Sequence, residues 1–182
     1  MRKLSTADER RAEVLAAAVR AFAARGYYGT TTAEVAKLAG ISQAYVYRLF
    51  PDKESLFVAV VDHCSRLIRE RLAEGAAGAT GSTPAAVLGA MGNAYAQLIV
   101  DKDVLMVLMH ATCAASEPPI RVAVRDMYAR LVEYARAASG GSETEVQGFF
   151  ATGFLCNMTM AMGAEEVDAP WARTLLAGIR HY

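Results

Sequence analysis

The sequence lacks the features of secreted and membrane proteins. Its three cysteines are widely spaced and odd in number, which favours reduced thiols over a disulfide framework. The N-terminus, MRKLSTADERR, has no apolar segment of the kind a signal peptide needs. Residues 149–163 are apolar, but Gly, Asn and Thr interrupt them, and they fall short of the ~20 residues that cross a bilayer. We therefore expect a soluble, cytoplasmic protein with no membrane partner.

Catalytic and metal-binding motifs are missing as well. The sequence contains no GxGxxG, P-loop, HExxH or GxSxG pattern, and no cysteine pairs with metal-ligand spacing. Internal repeats and low-complexity tails are also absent. We therefore predict that the protein is not an enzyme, with no catalytic residue, no metal site and no cofactor.

Strand signals are scarce. Valine is plentiful, but apolar and polar residues never alternate over a sustained stretch, as they do in a half-buried strand. Ala, Leu, Met, Glu and Arg are abundant and favour helix. Hydrophobic residues make up 54% of the 182 residues and charged residues 21%, so the chain can bury a substantial core. The composition predicts an all-α protein.

The charge is unevenly distributed, although the formal net charge is zero. Residues 1–55 hold nine Arg and Lys against six Asp and Glu, and the remainder holds ten against thirteen. A basic N-terminal part favours a polyanionic partner at that end of the protein.

Glycines and capping patterns divide the N-terminal part into short helices. The first is predicted from about Asp8 to Arg25, with Gly26 at its end. Thr31 and Glu34 form a capping-box pattern that starts a second helix, and Gly40 closes it. Two short helices joined by a glycine turn and braced by a first helix form a helix-turn-helix unit.

The third helix has two different faces. Ser42 is placed to cap it, and Pro51 stops it. Its apolar residues, which we expect to pack inward, are Val46, Leu49 and Phe50. The residues left for an outside partner are Gln43, Ala44, Tyr45, Tyr47 and Arg48.

The remaining chain is also predicted to be helical. Asp52 caps a long fourth helix, which fades into the Gly/Ala/Ser-rich loop at 74–84. Up to five further helical segments are predicted, with starts near Thr83, Asp101, Pro118, Ser142 and Pro170.

The outward residues of the third helix suit a DNA groove, because a helix fits the major groove and its N-terminal side chains reach base edges. A Gln43 amide can pair with adenine, and the Ala44 methyl can meet a thymine methyl. Tyr45 and Tyr47 can lie along sugars and reach phosphates. Lys53 and the hydroxyls of Thr31 and Thr32 are placed to contact phosphates. The predicted DNA-binding residues are therefore Thr31, Thr32, Gln43, Ala44, Tyr45, Tyr47 and Lys53.

Residues 10–57 resemble the DNA-binding segment of the tetracycline-repressor (TetR) family. The resemblance is carried by Phe22, Gly26 and Tyr27, by TTTAEVAKLAGIS at 30–42, and by YRLFPDKESLF at 47–57. The family's DNA-facing positions fall on the seven residues just named. The family often has glycine in place of Ala44 and a small residue in place of Tyr45, so base preference does not transfer.

The resemblance implies a DNA-binding domain at 1–55 and a helical domain at 56–182 that binds an effector and forms a homodimer. It further implies a transcriptional regulator, by family default a repressor, in which a small molecule swings the fourth helix and releases operator DNA. Residues whose types suit an apolar effector cavity are Met91, Tyr95, Met106, Met109, His110, Met127, Tyr128, Phe149, Phe150 and Phe154.

The C-terminal segments at 142–162 and 170–181 are apolar enough to indicate a dimer surface. Residues that recur there at helical intervals are Phe149, Phe150, Gly153, Phe154, Asn157 and Met160. A two-fold dimer would read two half-sites one DNA turn apart, ~34 Å, so we predict a roughly palindromic operator.

Two other functions are compatible with the sequence. One is a constitutive helix-turn-helix DNA-binding protein without a ligand. The other is a redox sensor that uses Cys113 or Cys156, which requires an exposed thiol of lowered pKa.

Overall fold

The structure, a computed structural model, describes residues 7–179, and within this range it contains helices and no strand. The all-α prediction is confirmed. The helices are α1 (Ala7–Gly29), α2 (Thr32–Ala39), α3 (Gln43–Leu49), α4 (Lys53–Ala77), α5 (Pro84–Leu98), α6 (Lys102–Cys113), α7 (Pro118–Ser139), α8 (Glu143–Ala161) and α9 (Pro170–Leu176), with a short 3₁₀ helix at Ala164–Glu166.

Most helix starts lie where the capping residues predict them. Thr31 and Ser142 each form a complete capping box, with Glu34 and Glu145 as the reciprocal partners. Thr83 caps α5 through the backbone N–H of Ala86. A hydroxyl or carboxylate at these positions satisfies backbone donors that the first turn leaves unpaired, so local sequence defines the helix boundaries.

The chain divides into two compact units. The first comprises residues up to Cys64 together with Met106–Arg125, and the second comprises Ser65–Leu105 together with the residues from Asp126 onward. The compact division therefore differs from the predicted functional division at 55/56, a position inside α4. The functional division remains a prediction.

The core of the first unit includes a cluster of aromatic side chains. Phe22 and Phe57 pack edge to face with ring centroids 4.7 Å apart, and Tyr27 lies 5.3 Å from Phe57. Phe22 and Phe57 are completely inaccessible to solvent. Burying an aromatic side chain of this size contributes roughly 1.5–3 kcal/mol, so this cluster anchors α1 to the start of α4.

The second unit has its own core. Fully buried side chains include Met91 and Leu105, and Met127 is 1% exposed. None of the helices between residues 7 and 179 is both long enough and apolar enough to cross a membrane.

Gly26 is the point where α1 meets α6. Its backbone has φ 68° and ψ −178°, a conformation that residues with a side chain rarely adopt. A Cβ built at Gly26 would lie 2.8 Å from Nδ1 of His110. Glycine is therefore required twice here, by the backbone and by the approach of His110.

We expect Gly26→Ala to lower the free energy of unfolding by ~2–5 kcal/mol, because backbone strain and overpacking add. Urea unfolding followed by circular dichroism measures this loss. Gly40 also has positive φ but has no atom within 4 Å of an added Cβ. Gly40→Ala should therefore lower the free energy of unfolding only by the cost of placing a side chain on a backbone of positive φ, ~1–2 kcal/mol.

The double variant Gly26→Ala/His110→Ala separates the two causes. It should recover the part of the loss that comes from the clash. Equal losses for Gly26→Ala and Gly40→Ala, with no recovery in the double variant, would contradict the close contact.

Candidate nucleic-acid interface

Helix α3 has only seven residues and is held from both ends. Its N-cap Ser42 accepts a hydrogen bond from the backbone N–H of Tyr45. Val46 is fully buried and Phe50 is 2% exposed, as the sequence predicts, while Leu49 is half-buried. The inward face of α3 therefore anchors it to the first unit.

The opposite face of α3 is open to solvent. Gln43, Ala44, Tyr47 and Arg48 are exposed, and Tyr45 is half-buried. Tyr47 keeps 46% of its surface accessible, a large value for an aromatic residue. The Arg48 guanidinium lies 5.5 Å from the centroid of the Tyr45 ring. The face thus presents an amide, a methyl, phenols and a cation side by side.

Thr32 connects two of these side chains. Gln43 Nε2 donates to the Thr32 hydroxyl over 2.8 Å, and that hydroxyl donates to the Tyr47 phenol over 3.0 Å. Thr32 is only 5% exposed. Its hydroxyl, which the sequence suggests for a phosphate, is instead engaged within the protein, where it orients both α3 residues.

Thr31 and Lys53 also have partners inside the first unit. The Thr31 hydroxyl accepts from the Glu34 backbone N–H and donates to the Glu34 carboxylate. Lys53 Nζ donates to the Tyr27 carbonyl over 2.9 Å and lies 4.4 Å from the centroid of the Tyr27 ring. Both contacts fix residues at helix N-termini; the Thr31 hydroxyl uses its one donor on Glu34, whereas Lys53 keeps two of its three N–H donors.

Arg11 is a contributor that the sequence did not reveal. Its Nη1 donates to the carbonyl of Leu49 over 2.7 Å, and its guanidinium stacks 4.1 Å from the centroid of the Phe50 ring. A cation at the last carbonyls of a helix also complements the helix dipole. Arg11 lies 38 residues from Leu49, and no local pattern marks a contact of that span.

The residues predicted to line an effector cavity fall into both units. Met106, Met109 and His110 belong to the first unit, and the others belong to the second. In the second unit, Tyr128 and Phe154 pack edge to face with centroids 5.4 Å apart. Met91 and Met127 are buried, Tyr95, Phe149 and Phe150 are half-buried, and Phe154 is 47% exposed.

The predicted dimer face is partly wrong. Asn157 and Met160, proposed for that surface, are 6% and 7% exposed and so pack within the chain. The exposed apolar residues at this end of α8 include Leu155 and Met158, and Met162 directly after the helix. Because α8 is apolar on most sides, its sequence does not distinguish the inner from the outer face.

The cysteines differ in environment. Cys64 and Cys156 are buried and Cys113 is exposed. Burial, reinforced by Glu165, raises the pKa of the Cys156 thiol. A protonated, buried thiol is a poor nucleophile, which argues against Cys156 as a redox sensor.

Two short capped helices with an exposed polar face on the second define a helix-turn-helix protein. Residues 14–60 match the family model described as bacterial regulatory proteins, tetR family. The helix-turn-helix segment of this chain is therefore similar to that of the tetR family.

Two named relatives share part of the sequence. The nucleoid occlusion factor SlmA of Haemophilus influenzae is 37% identical over 68 residues, which cover 37% of this chain and 31% of SlmA. The HTH-type transcriptional regulator TtgR of Pseudomonas putida is 43% identical over 56 residues, 31% of this chain and 27% of TtgR. The matched segments thus span less than a third of either relative.

The structural likeness extends further. The transcriptional regulator FadR of Bacillus subtilis, solved in complex with stearoyl-CoA, superposes with a TM-score of 0.72 over 93% of this chain and 99% of FadR. Its sequence identity is 18%, so this likeness concerns the fold.

The capping box of α2 predicts a pH dependence. Hydrogen bonds from Thr31, and secondarily the charge of Arg25, lower the pKa of Glu34 below its ordinary value of 4.5. A lowered folded-state pKa contributes stability above the unfolded value, and that stability is lost as pH falls through the folded pKa. Thermal unfolding should therefore show the melting temperature falling as pH drops below 4.5.

The variant Glu34→Gln isolates this contribution. It should be less stable than the native protein at neutral pH, with the difference shrinking in acid, because both then carry an uncharged side chain. Glu133→Gln, an exposed position on α7, controls for the loss of one charge. A gap between Glu34→Gln and the native protein that stays constant with pH would contradict the prediction.

Proposed function

We propose that the protein is a DNA-binding transcriptional regulator that responds to a small apolar or amphipathic effector, and that it acts as a repressor released from a palindromic operator. The single observation that carries this proposal is the exposed polar face of α3 on a helix whose other face is locked into the first unit. A rigid helix with solvent-facing amide and phenol groups has the chemistry of major-groove readout.

The residues of α3 take different roles. Gln43 offers its amide to adenine, and Ala44 admits a close approach to a thymine methyl. Tyr45 and Tyr47 contact sugars and phosphates. Thr32 acts as a positioning residue, because its buried hydroxyl bonds to Gln43 and Tyr47.

Phosphate contacts come from the flanking helix starts. Lys53 donates one of its three N–H groups to the Tyr27 carbonyl. The other two N–H groups can donate to phosphate oxygens. The N-terminus of α4 adds its own partial positive charge at the same place. Thr31 is exposed at the start of α2, and its hydroxyl would make a second phosphate contact by giving up its hydrogen bond to Glu34.

A homodimer through the C-terminal helices fits the outward face of α8. Leu155, Met158 and Met162 follow one another at spacings of three and four and are 37–52% exposed. Trp171 of α9 is 47% exposed. An exposed apolar stripe of this kind marks an association surface, and a two-fold dimer would match a palindromic operator.

The effector belongs to the second unit in this proposal. Its half-buried Tyr95, Tyr128 and Phe150 provide an apolar, adaptable surround for a ligand. FadR, whose fold the chain shares, was solved with stearoyl-CoA, which supports an amphipathic class. A coupling of ~1–3 kcal/mol between effector and operator would change DNA affinity roughly 5- to 150-fold.

Selection of bound duplexes from a random DNA library tests the proposal. We expect a palindromic consensus with half-sites ~10 base pairs apart centre to centre. Gln43→Ala should relax preference at one or two base pairs, with ~1–3 kcal/mol at stake. Thr32→Val should weaken the same preference, because it releases the Gln43 amide.

Lys53→Ala should instead weaken binding to all sequences and reduce the salt slope by about one. Lys102→Ala, an exposed lysine of the second unit, is the matched control and should leave the slope unchanged. A reporter gene driven by the selected operator then separates a transcriptional regulator from a protein that binds DNA without regulating transcription. Failure to enrich any duplex would refute DNA binding itself.

The dimer is tested by Met158→Glu. Placing a charge on the outward stripe of α8 should weaken association ~100-fold or more, since burying an unpaired charge is costly. Light scattering over a concentration series measures the shift towards monomer.

Val132→Glu, at a residue of α7 that is 40% exposed, supplies the control and should leave the mass unchanged. A native protein that stays monomeric at all concentrations, or a Met158→Glu variant that dimerises normally, would contradict the proposed interface.

A further inference from the structure

The inner face of α8 is a row of packed side chains with one open position. Val146, Phe149, Gly153, Asn157 and Met160 succeed one another at spacings of three and four, so they share a face of the helix. Val146, Asn157 and Met160 are buried, and Phe149 is half-buried. Gly153 lies at the middle of this row.

Space remains beside Gly153. A Cβ built there would meet no heavy atom within 4 Å beyond its own helix, and the residue is partly accessible. Buried helix faces are normally close-packed. An inward glycine with open space beside it therefore marks room for a small group between buried neighbours.

One turn further along α8, Asn157 has hydrogen-bonding capacity to spare. The Tyr95 phenol donates to Asn157 Oδ1 over 2.7 Å, which leaves both N–H groups of the amide. If the amide were turned round, it would donate one hydrogen to the phenol oxygen, and one amide hydrogen and the phenol hydrogen would remain. Either arrangement leaves two donors of the Asn157–Tyr95 pair without an acceptor in the described part of the chain. Asn157 itself is only 6% exposed.

No cation among the residues that the structure describes acts on the Tyr95 phenol. Burial raises the pKa of Tyr95 well above its ordinary range, and the ionisable groups that act on it, Tyr128 and Cys156, are neutral acids at neutral pH. Among the described residues, no Lys, Arg or His hydrogen-bonds to Tyr95 or Asn157. An anionic ligand group would thus find donors but no countercharge, whereas a neutral acceptor would find both its partner and an apolar surround.

We propose that the second unit binds an uncharged effector whose carbonyl, ester or comparable neutral acceptor accepts hydrogen bonds from Asn157 and Tyr95, with its apolar part beside Gly153. This inference rests on the proposed function in that it names the effector class. A buried donor without an acceptor costs free energy. A ligand whose oxygen accepts hydrogen bonds from Asn157 and Tyr95 removes this cost and therefore binds more tightly than a ligand without such an oxygen.

A matched set of probes tests the inference: 2-decanone as the neutral acceptor, decane as the chain without one, and decanoate as the anion. Calorimetric titration of the native protein should show 2-decanone binding ~5- to 150-fold more tightly than decane or decanoate. In a protein labelled with nitrogen-15, 2-decanone should shift the side-chain amide signal of Asn157, and decane should not.

The double variant Tyr95→Phe/Asn157→Leu removes both the phenol donor and the amide donors and keeps most of the bulk. It should abolish the advantage of 2-decanone over decane while leaving decane binding and the melting temperature close to the native values, because replacing both hydrogen-bonding partners by apolar groups leaves no buried donor unpaired. Equal binding of the three probes to the native protein, or an advantage of 2-decanone that persists in the double variant, would overturn the proposal. The first result would mean that a resident water satisfies the pair.

Gly153→Leu tests the space itself. It should weaken binding of 2-decanone and decane together, by ~10-fold or more, since a leucine side chain occupies the room they need. Gly153→Ala gives a milder version if the leucine variant folds poorly. Gly89→Leu, on an exposed position of α5 that also has open space, should bind both probes like the native protein. Unaltered binding in both Gly153 variants would overturn the location.

Operator binding separates this inference from the function on which it rests. If 2-decanone binds through Asn157 but leaves operator affinity unchanged, the site stands and effector release fails. If the selected operator binds normally while 2-decanone shows no preference, DNA binding stands and the site assignment fails.

Discussion

A helix as short as α3 does not hold its shape in water on its own, because two turns of backbone hydrogen bonds do not offset the cost of nucleation. Its conformation depends on burial of Val46 and Phe50 against the first unit. Arg11 completes the arrangement by stacking on Phe50 and bonding to the Leu49 carbonyl. The side chains proposed to meet DNA are therefore displayed by a surface that α1 and α3 build together, and damage to α1 would disorder it without touching a reading residue.

The helices were predictable because residues within one turn of each helix start determine where the helix begins. Threonine or serine followed three residues later by glutamate stabilises a helix start with groups only one turn apart, and both such patterns, at Thr31 and Ser142, are realised. The two-sided character of α3 was equally accessible, since an apolar face follows from helical spacing. What escaped prediction was contact across the chain, such as Lys53 with Tyr27. Residue type alone suggested a phosphate for the buried Thr32, although its hydroxyl is already shared.

The second unit was harder to read for a different reason. Helix α8 is apolar on most sides, and periodicity then says nothing about which residues point inward. The structure resolves this by burying Asn157 and Met160 while exposing Met158. One helix therefore presents two surfaces, an inner one with room beside Gly153 and an outer one that we propose for a second copy of the chain. For this reason the sequence analysis named some of the same residues for the effector cavity and for the dimer surface.

The shared hydroxyl of Thr32 has a consequence for how operator preference evolves. Gln43 and Tyr47 draw on the same oxygen, so they form one coupled unit and not two separate readers. Substitutions within such a network combine non-additively. A lineage acquiring a new target sequence would then meet epistasis at these three positions, and single-step recoding of Gln43 would succeed only in backgrounds where Thr32 and Tyr47 had already adjusted.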